Sequence, residues 1–197
     1  AAAAAAVALI AAPAVAEISD GKVKIGILND QSGVYADFGG KWSFEAAKMA
    51  AEAFGGKVLD APIEIVTADH QNKPDVGSNI ARDWFDQQGV DVISDVPGSA
   101  IALAVSDLAR EKGRIHLNSG AGTAELTGAK CSPNTVHWTY DSWALANGTA
   151  RAMVQQGGDS WFFISADYAF GKAMQQDASA VVEASGGTVV GSAAHPL

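Results

Sequence analysis

Short apolar runs alternate with amphipathic segments along most of the chain. The runs are rich in β-branched residues, which predicts buried strands. The segments between them repeat apolar residues at helical spacing, and several stop at glycine, a common helix end. These patterns predict strands at 22–28, 63–68, 90–96, 114–118, 135–139, 160–165 and 188–191, and helices at 42–54, 76–88, 99–112, 142–156 and 170–184.

This alternation predicts an α/β fold built on a doubly wound parallel sheet. Parallel neighbours need a helix-sized crossover, and successive crossovers place helices on both faces of the sheet. Ligands of such sheets bind beyond the carboxyl ends of the strands. The loops that directly follow the strands are therefore where functional residues are expected.

Residues 1–16 form a separate segment that reads AAAAAAVALIAAPAVA. The run is apolar and uncharged, and it ends in the small-x-small pattern Ala14-Val15-Ala16, which predicts a signal peptide. The alternative is an alanine-rich buried helix, but a helix of a globular domain normally carries one polar face. The mature chain is expected to be exported and soluble, because no later stretch is apolar over about 18 residues.

The net charge and the cysteine count limit the kinds of partner and site that the protein can have. The 197 residues carry 13 basic and 22 acidic side chains, a net charge of −9, which argues against nucleic acid and anionic membranes as partners. The single cysteine, Cys131, excludes a disulfide within the sequence and any multi-cysteine metal site.

Three loops after predicted strands have the composition of an anion site. They span 29–40, 97–100 and 119–123, and each places small or hydroxyl residues beside backbone N–H groups. Such loops suit a carboxylate or phosphate. The alternative is ordinary capping, with Ser99 as a helix N-cap. Three such loops at one sheet edge favour the anion site.

Other catalytic or cofactor chemistry finds little support. The sequence has no GxGxxG, Walker or GxSxG motif after a strand, and its four histidines lack metal-ligand spacing. His116 and His137 are interpreted as satisfied core residues, and Asp69-His70 as a solvated loop. No nucleophile–base pair is evident, so we predict that the protein is not an enzyme and uses no cofactor or metal.

Several segments resemble one family in the same order and spacing. They are KIGILNDQSG, ADFGG, VPGSAIALAVSDLAREKG, NSGAGTAELTG and WFFISADYAFGKAM. Together they resemble type I periplasmic solute-binding proteins of ABC importers, specifically the branched-chain-amino-acid-binding group. The stretch CSPNTVHWTYD is similar to one found in relatives that bind aromatic acids or amides.

The resemblance implies a site between two α/β lobes that are joined by three hinge crossings. Phe38 matches an aromatic residue that packs on the solute, and Ser99 matches a hydroxyl that binds its carboxylate. Tyr168 matches a residue of the second lobe that closes over the solute. A loop matching the backbone and threonine contacts to the solute comprises Gly120, Ala121, Gly122 and Thr123.

The resemblance also implies the domain organisation. Residues 17–137 are expected to form the N-terminal lobe, 138–142 the first hinge crossing and 143–197 the start of a second lobe. Because the second lobe would be truncated, we expect the chain to expose apolar surface and to aggregate or dimerise.

The expected function is capture of a small carboxylate solute in the periplasm for the permease subunits of an ABC importer. The solute classes are a branched-chain amino acid or an aromatic acid or amide. The alternative is a ligand-sensing regulator or receptor domain on the same fold. The signal-like N-terminus and the lack of a DNA-binding helix pair argue against a regulator.

Overall fold

The computed structural model describes residues 20–197, so the predicted signal peptide lies outside the described residues. Strands and helices alternate through this part of the chain. In chain order they are β1 (Val23–Asn29), α1 (Gly40–Ala53), β2 (Lys57–Val58), β3 (Ala61–Asp69), α2 (Pro74–Asp86), β4 (Val92–Asp95), α3 (Ser99–Lys112), β5 (Ile115–Asn118), a 3-10 turn (Ala124–Leu126), β6 (Thr135–His137), α4 (Ser142–Gln155), β7 (Ser160–Ala166), α5 (Ala169–Ala184) and β8 (Thr188–His195).

The strands form two sheets. The larger has the order β2-β3-β1-β4-β5-β6, and all its pairs are parallel except the short antiparallel β2–β3 pair. The smaller sheet pairs β7 with β8 in parallel. The predicted α/β class with a doubly wound, mainly parallel sheet is confirmed.

The main core lies between the larger sheet and helices α2 and α3. Leu28 and Ile93 from the sheet pack in one buried cluster with Trp84 and Val105 from the two helices. The Trp84 ring approaches the backbone of Gly26 so closely that no side chain fits at that position. Helix α1 contacts β1 and β3, and its residues other than Gly40 are exposed or half-buried.

The face of the larger sheet opposite α2 and α3 is partly bare at β5 and β6. Ile115, Leu117 and Val136 share that face and are 46%, 39% and 49% exposed. Hydrophobic side chains at this density favour association with other apolar surface. The sequence-based expectation of aggregation or dimerisation stays a prediction.

The structure differs from the sequence expectations at short elements. The two-residue strand β2 and the 3-10 turn were not predicted, because two or three residues carry no periodicity. β6 ends at His137 rather than at residue 139, whereas β8 begins at Thr188, where a strand was predicted to begin, and runs to His195.

Residues 138–141 connect β6 of the larger sheet to α4, which packs with α5 beside the smaller sheet. The lobe boundary at 138–142 stays a prediction. Within residues 20–197, no helix is long and apolar enough to cross a membrane.

Candidate functional site

The loops beyond the parallel strands are tied together by a buried asparagine at the end of β5. Asn118 Nδ2 donates hydrogen bonds to the carbonyl oxygens of Asp95 (3.2 Å) and Val96 (3.1 Å), and its Oδ1 accepts one from the Ala121 N–H (3.0 Å). Asp95 and Val96 have positive φ angles of 80° and 53°, an unfavourable conformation for such residues. Asn118 therefore stabilises a tight turn at residues 95–96, which leads into the loop 97–99 at the carboxyl end of β4.

A buried carboxylate organises the loop after β1. Asp30 is fully buried and accepts hydrogen bonds from the N–H groups of Gly33 (2.7 Å) and Tyr35 (2.8 Å). The Tyr35 carbonyl in turn accepts one from the Phe38 N–H (2.9 Å). These contacts fix the turn that presents Tyr35 and Phe38 above the strand ends.

Ser99 is the first residue of α3 and is 1% exposed. Its Oγ has no hydrogen-bond partner among residues 20–197. Gly98 occupies the N-cap position with no side-chain cap, so the interpretation of Ser99 as an N-cap is wrong. A free hydroxyl therefore lies beside the first-turn N–H groups of a helix, which are unpaired by helix geometry and favour anions.

Ser99 lines a cavity of about 160 Å³, whose wall combines residues that follow strands of the larger sheet with Tyr168 and Phe170, which follow β7 of the smaller sheet. Of the sequence-predicted site residues, the structure brings together Phe38, Ser99, Gly120, Gly122 and Tyr168 around it. The other lining residues are Tyr35, Pro97, Tyr140 and Phe170. Phe38 is 61% exposed, which places it at the rim.

Ala121 and Thr123 are fully buried outside the cavity lining. The Ala121 N–H donates to Asn118, and its carbonyl accepts from His137 Nε2 at 2.6 Å. Thr123 Oγ1 accepts from the Glu125 N–H (3.3 Å) and so caps the 3-10 turn. Their predicted contacts with solute stay predictions. The Ala121 N–H is already engaged, whereas the Thr123 hydroxyl keeps its proton but lies outside the cavity lining.

Tyr140 and Phe170 are wall residues that sequence reasoning did not select. Their rings pack edge to face at 6.4 Å, and Phe170 also packs on Tyr168 at 6.1 Å. Each follows a strand, Tyr140 after β6 and Phe170 at the start of α5. The sequence signal that could have identified them is an aromatic residue located shortly after a predicted strand.

Gly122 provides the space that these two rings fill. A methyl group added at this position would lie 2.7 Å from Phe170 Cε2 and 2.8 Å from Tyr140 Cε2. We expect Gly122→Ala to displace both rings and to weaken binding of the solute that the family resemblance implies by roughly tenfold, with a stability loss within about 1–3 kcal/mol. Calorimetric titration and denaturant melting of the same variant separate the two effects. Binding at the wild-type affinity would show that these rings do not shape the site.

A hydrogen bond joins the two sides of the cavity. It links Tyr35 Oη and Tyr168 Oη at 2.7 Å, and both side chains are partly buried. Burial first, and then the hydrogen bond with Tyr35, raise the pKa of the Tyr168 phenol. Tyr168 is therefore neutral at any physiological pH and acts as a hydrogen-bonding group rather than as an anion.

Two histidines are more deeply buried and less satisfied than expected. His70 is fully buried, so its interpretation as part of a solvated loop is wrong. Its Nδ1 accepts from the Asn72 N–H (3.0 Å), and within the described residues Nε2 has no partner. His116 is also fully buried, and neither ring nitrogen has a partner in residues 20–197, so it is a core residue but not a satisfied one.

Burial lowers the pKa of both histidines, that of His116 to about 3. Both are therefore neutral at pH 7. In the same part of the chain, no group of three or more His, Cys, Asp or Glu side chains is arranged to hold a metal ion.

The chain matches one family model and several solved structures, all of them periplasmic binding proteins. The family model for periplasmic binding proteins matches residues 22–197. A periplasmic binding protein from Burkholderia mallei is 50% identical, with a TM-score of 0.87 over 89% of this chain and 47% of its own. A branched-chain amino acid ABC transporter periplasmic ligand-binding protein from Burkholderia xenovorans LB400 is 36% identical, with a TM-score of 0.76 over 89% of this chain and 47% of its own.

A third similar structure has a ligand. The solute-binding protein of an ABC transporter from R. palustris, in complex with 4-hydroxybenzoate, is 26% identical, with a TM-score of 0.77 over 89% of this chain and 47% of its own. No curated protein sequence gives a significant match. The present chain thus spans about half the length of the structures it matches. The family match over residues 22–197, together with these structures, shows that the chain belongs to the type I periplasmic binding proteins of ABC transporters.

Proposed function

We propose that the protein captures a small carboxylate solute in the periplasm and delivers it to the permease subunits of an ABC importer. The observation that supports this most strongly is Ser99. Its buried hydroxyl has no partner within residues 20–197, yet it lines the cavity at the start of α3. A buried hydroxyl without a partner costs about 1–3 kcal/mol, so the site is built for an acceptor that arrives from outside.

A carboxylate is the acceptor that fits this corner best. The helix start favours negative charge, and a hydrogen bond from a hydroxyl to a carboxylate is stronger than one between neutral groups. Removal from water strengthens the attraction further, because the interior has a lower effective dielectric constant.

The rest of the cavity wall fits an apolar and preferably aromatic body. Phe38, Tyr140, Tyr168 and Phe170 surround a volume of about 160 Å³, which suits a small ring. Aromatic rings pack favourably in offset or edge-to-face arrangements. Among the classes considered, an aromatic acid therefore has more support than a branched-chain amino acid or an amide.

The remaining parts of the proposal follow from the family. Periplasmic binding proteins bind their solute and perform no reaction on it, so we propose that this chain is not an enzyme. Closure of two lobes over a solute creates two states that differ in affinity, which a transporter can distinguish. The Tyr35–Tyr168 hydrogen bond across the cavity supports such a closed state.

A thermal-shift screen of the intact protein tests the proposal. Leucine, benzoate and benzamide are the three probes, because they differ in shape and in the presence of a carboxylate. A solute at a hundred times its Kd stabilises the folded state by about 2.7 kcal/mol, so the expected result is a clear rise in Tm with benzoate and a much smaller one with benzamide. A larger rise with benzamide would contradict carboxylate recognition, and a larger rise with leucine would contradict the aromatic class.

A further inference from the structure

The hydrogen bond between Tyr35 and Tyr168 leaves one donor unused. Each phenol carries one O–H proton, and the bond between the two oxygens uses one of them. Whichever oxygen donates across the 2.7 Å contact, the other keeps a proton with no place in that bond. Both side chains line the cavity, so this proton is available to a solute.

The two phenols are held in place from opposite sides. Tyr35 belongs to the turn fixed by the Asp30 carboxylate, and Tyr168 immediately precedes α5 and packs against Phe170 at 6.1 Å. Their oxygens are therefore positioned before a solute enters, which lowers the entropy cost of binding to them. The raised pKa of Tyr168 keeps its proton on the phenol.

The carboxylate of the solute has a separate binding group in Ser99 at the start of α3. The phenols of Tyr35 and Tyr168 line the same cavity and provide a second polar group that a substituent on the ring can reach. We infer that the Tyr35–Tyr168 pair determines solute specificity by hydrogen bonding a ring hydroxyl, so that hydroxylated aromatic acids bind better than unsubstituted ones; this rests on the proposed aromatic-acid function.

A ring hydroxyl suits the pair because it can both accept the unused proton and donate to a phenol oxygen. The solute then extends the hydrogen bond that already joins the two sides of the cavity. Consecutive hydrogen bonds polarise one another, so recognition of the hydroxyl also strengthens the contact across the cavity. Specificity and closure would thus depend on the same two side chains.

Calorimetric titration of the intact protein with benzoate and with 4-hydroxybenzoate tests the inference. The wild type is expected to bind 4-hydroxybenzoate about tenfold more tightly, the size of one net hydrogen bond. The double variant Tyr35→Phe/Tyr168→Phe removes both phenols, because a single variant leaves one that can still reach the solute. In the double variant the two affinities are expected to be equal within a factor of about two, and both weaker than in the wild type.

Tyr140→Phe is the matched control, since it removes a phenol from the same cavity wall but leaves the pair intact. It is expected to retain the tenfold preference. Equal binding of both acids by the wild type, or a preference that survives in the double variant, would overturn the inference while leaving the proposed function standing. Failure of the wild type to bind either acid would overturn the aromatic-acid function and this inference with it.

Discussion

Replacing Ser99 by alanine is expected to weaken carboxylate binding by about 1.5–3 kcal/mol, the value of a hydrogen bond to a charged group. That corresponds to roughly tenfold to more than a hundredfold in Kd. The folded state without solute should keep its stability or gain slightly, because the Oγ of this buried residue has no hydrogen-bond partner within residues 20–197. Calorimetric titration measures the first effect, and denaturant melting in the absence of solute measures the second.

Thr123→Val provides the contrast to Ser99→Ala. Thr123 Oγ1 accepts from the Glu125 N–H and caps the 3-10 turn, so its loss should lower stability by about 1 kcal/mol. Sequence reasoning expects this variant to lose binding as well if the hydroxyl faces the cleft, whereas the burial of Thr123 outside the cavity lining favours a loss of stability alone. If Ser99→Ala lowers stability but leaves Kd unchanged, the carboxylate role of Ser99 is refuted.

Acid is expected to destabilise the protein well above the pH at which its carboxyl groups titrate. His116 is fully buried, and burial lowers its pKa from 6.5 to about 3. Below pH 6.5 the unfolded chain binds a proton at this residue that the folded chain does not, so stability falls as pH falls. The slope is about 1.4 kcal/mol per pH unit, and it persists down to about pH 3.

Denaturant melting at a series of pH values between 7 and 5 measures this slope. In His116→Met the slope should decrease by up to about 1.4 kcal/mol per pH unit, because the variant has no proton to gain at this position. His70 is also buried with a lowered pKa and should leave part of the slope in place. His195→Gln is the control, since that histidine is exposed. An unchanged slope in His116→Met would show that His116 does not cause the pH dependence of stability.

The fold was predictable because it depends on patterns that repeat over many residues. The predicted helix at 99–112 coincides with α3, since a Gly-Ser start, apolar periodicity and Gly113 at the end all agree. Strand β2 was not predictable, because its Lys-Val pair gains its place only by pairing with Ala61 and Pro62. Pairing between strands is a property of the folded chain, and a short segment does not encode it locally.

The site was predictable only in part. Position after a strand indicated Ser99 and the loop that contains Phe38, because parallel strands of one sheet end at one edge, whereas Tyr168 was indicated by the family resemblance; all three line one cavity. Position alone did not show that Thr123 faces the interior while its neighbour Gly122 faces the cavity. That difference arises from Asn118, whose hydrogen bond to the Ala121 N–H fixes the turn.

A further sequence signal became recognisable only in the structure. Four parallel strands end in an asparagine or aspartate, namely Asn29, Asp69, Asp95 and Asn118. Each accepts or donates hydrogen bonds that hold a following or neighbouring loop. Short amide and carboxylate side chains serve this purpose because they bond readily to nearby backbone groups.

The contact between Tyr35 and Tyr168 joins residues that are 133 positions apart in the chain. Loops of this length close late in folding, because their entropy cost must be met by structure that has already formed. We therefore expect the cavity to be completed late in folding, and a nascent chain lacks part of the cavity wall until Phe170 has been synthesised. If the Tyr35–Tyr168 contact forms after the folding transition state, the proposed solute should slow unfolding of the native protein without accelerating its folding, which stopped-flow refolding and unfolding with and without solute would measure.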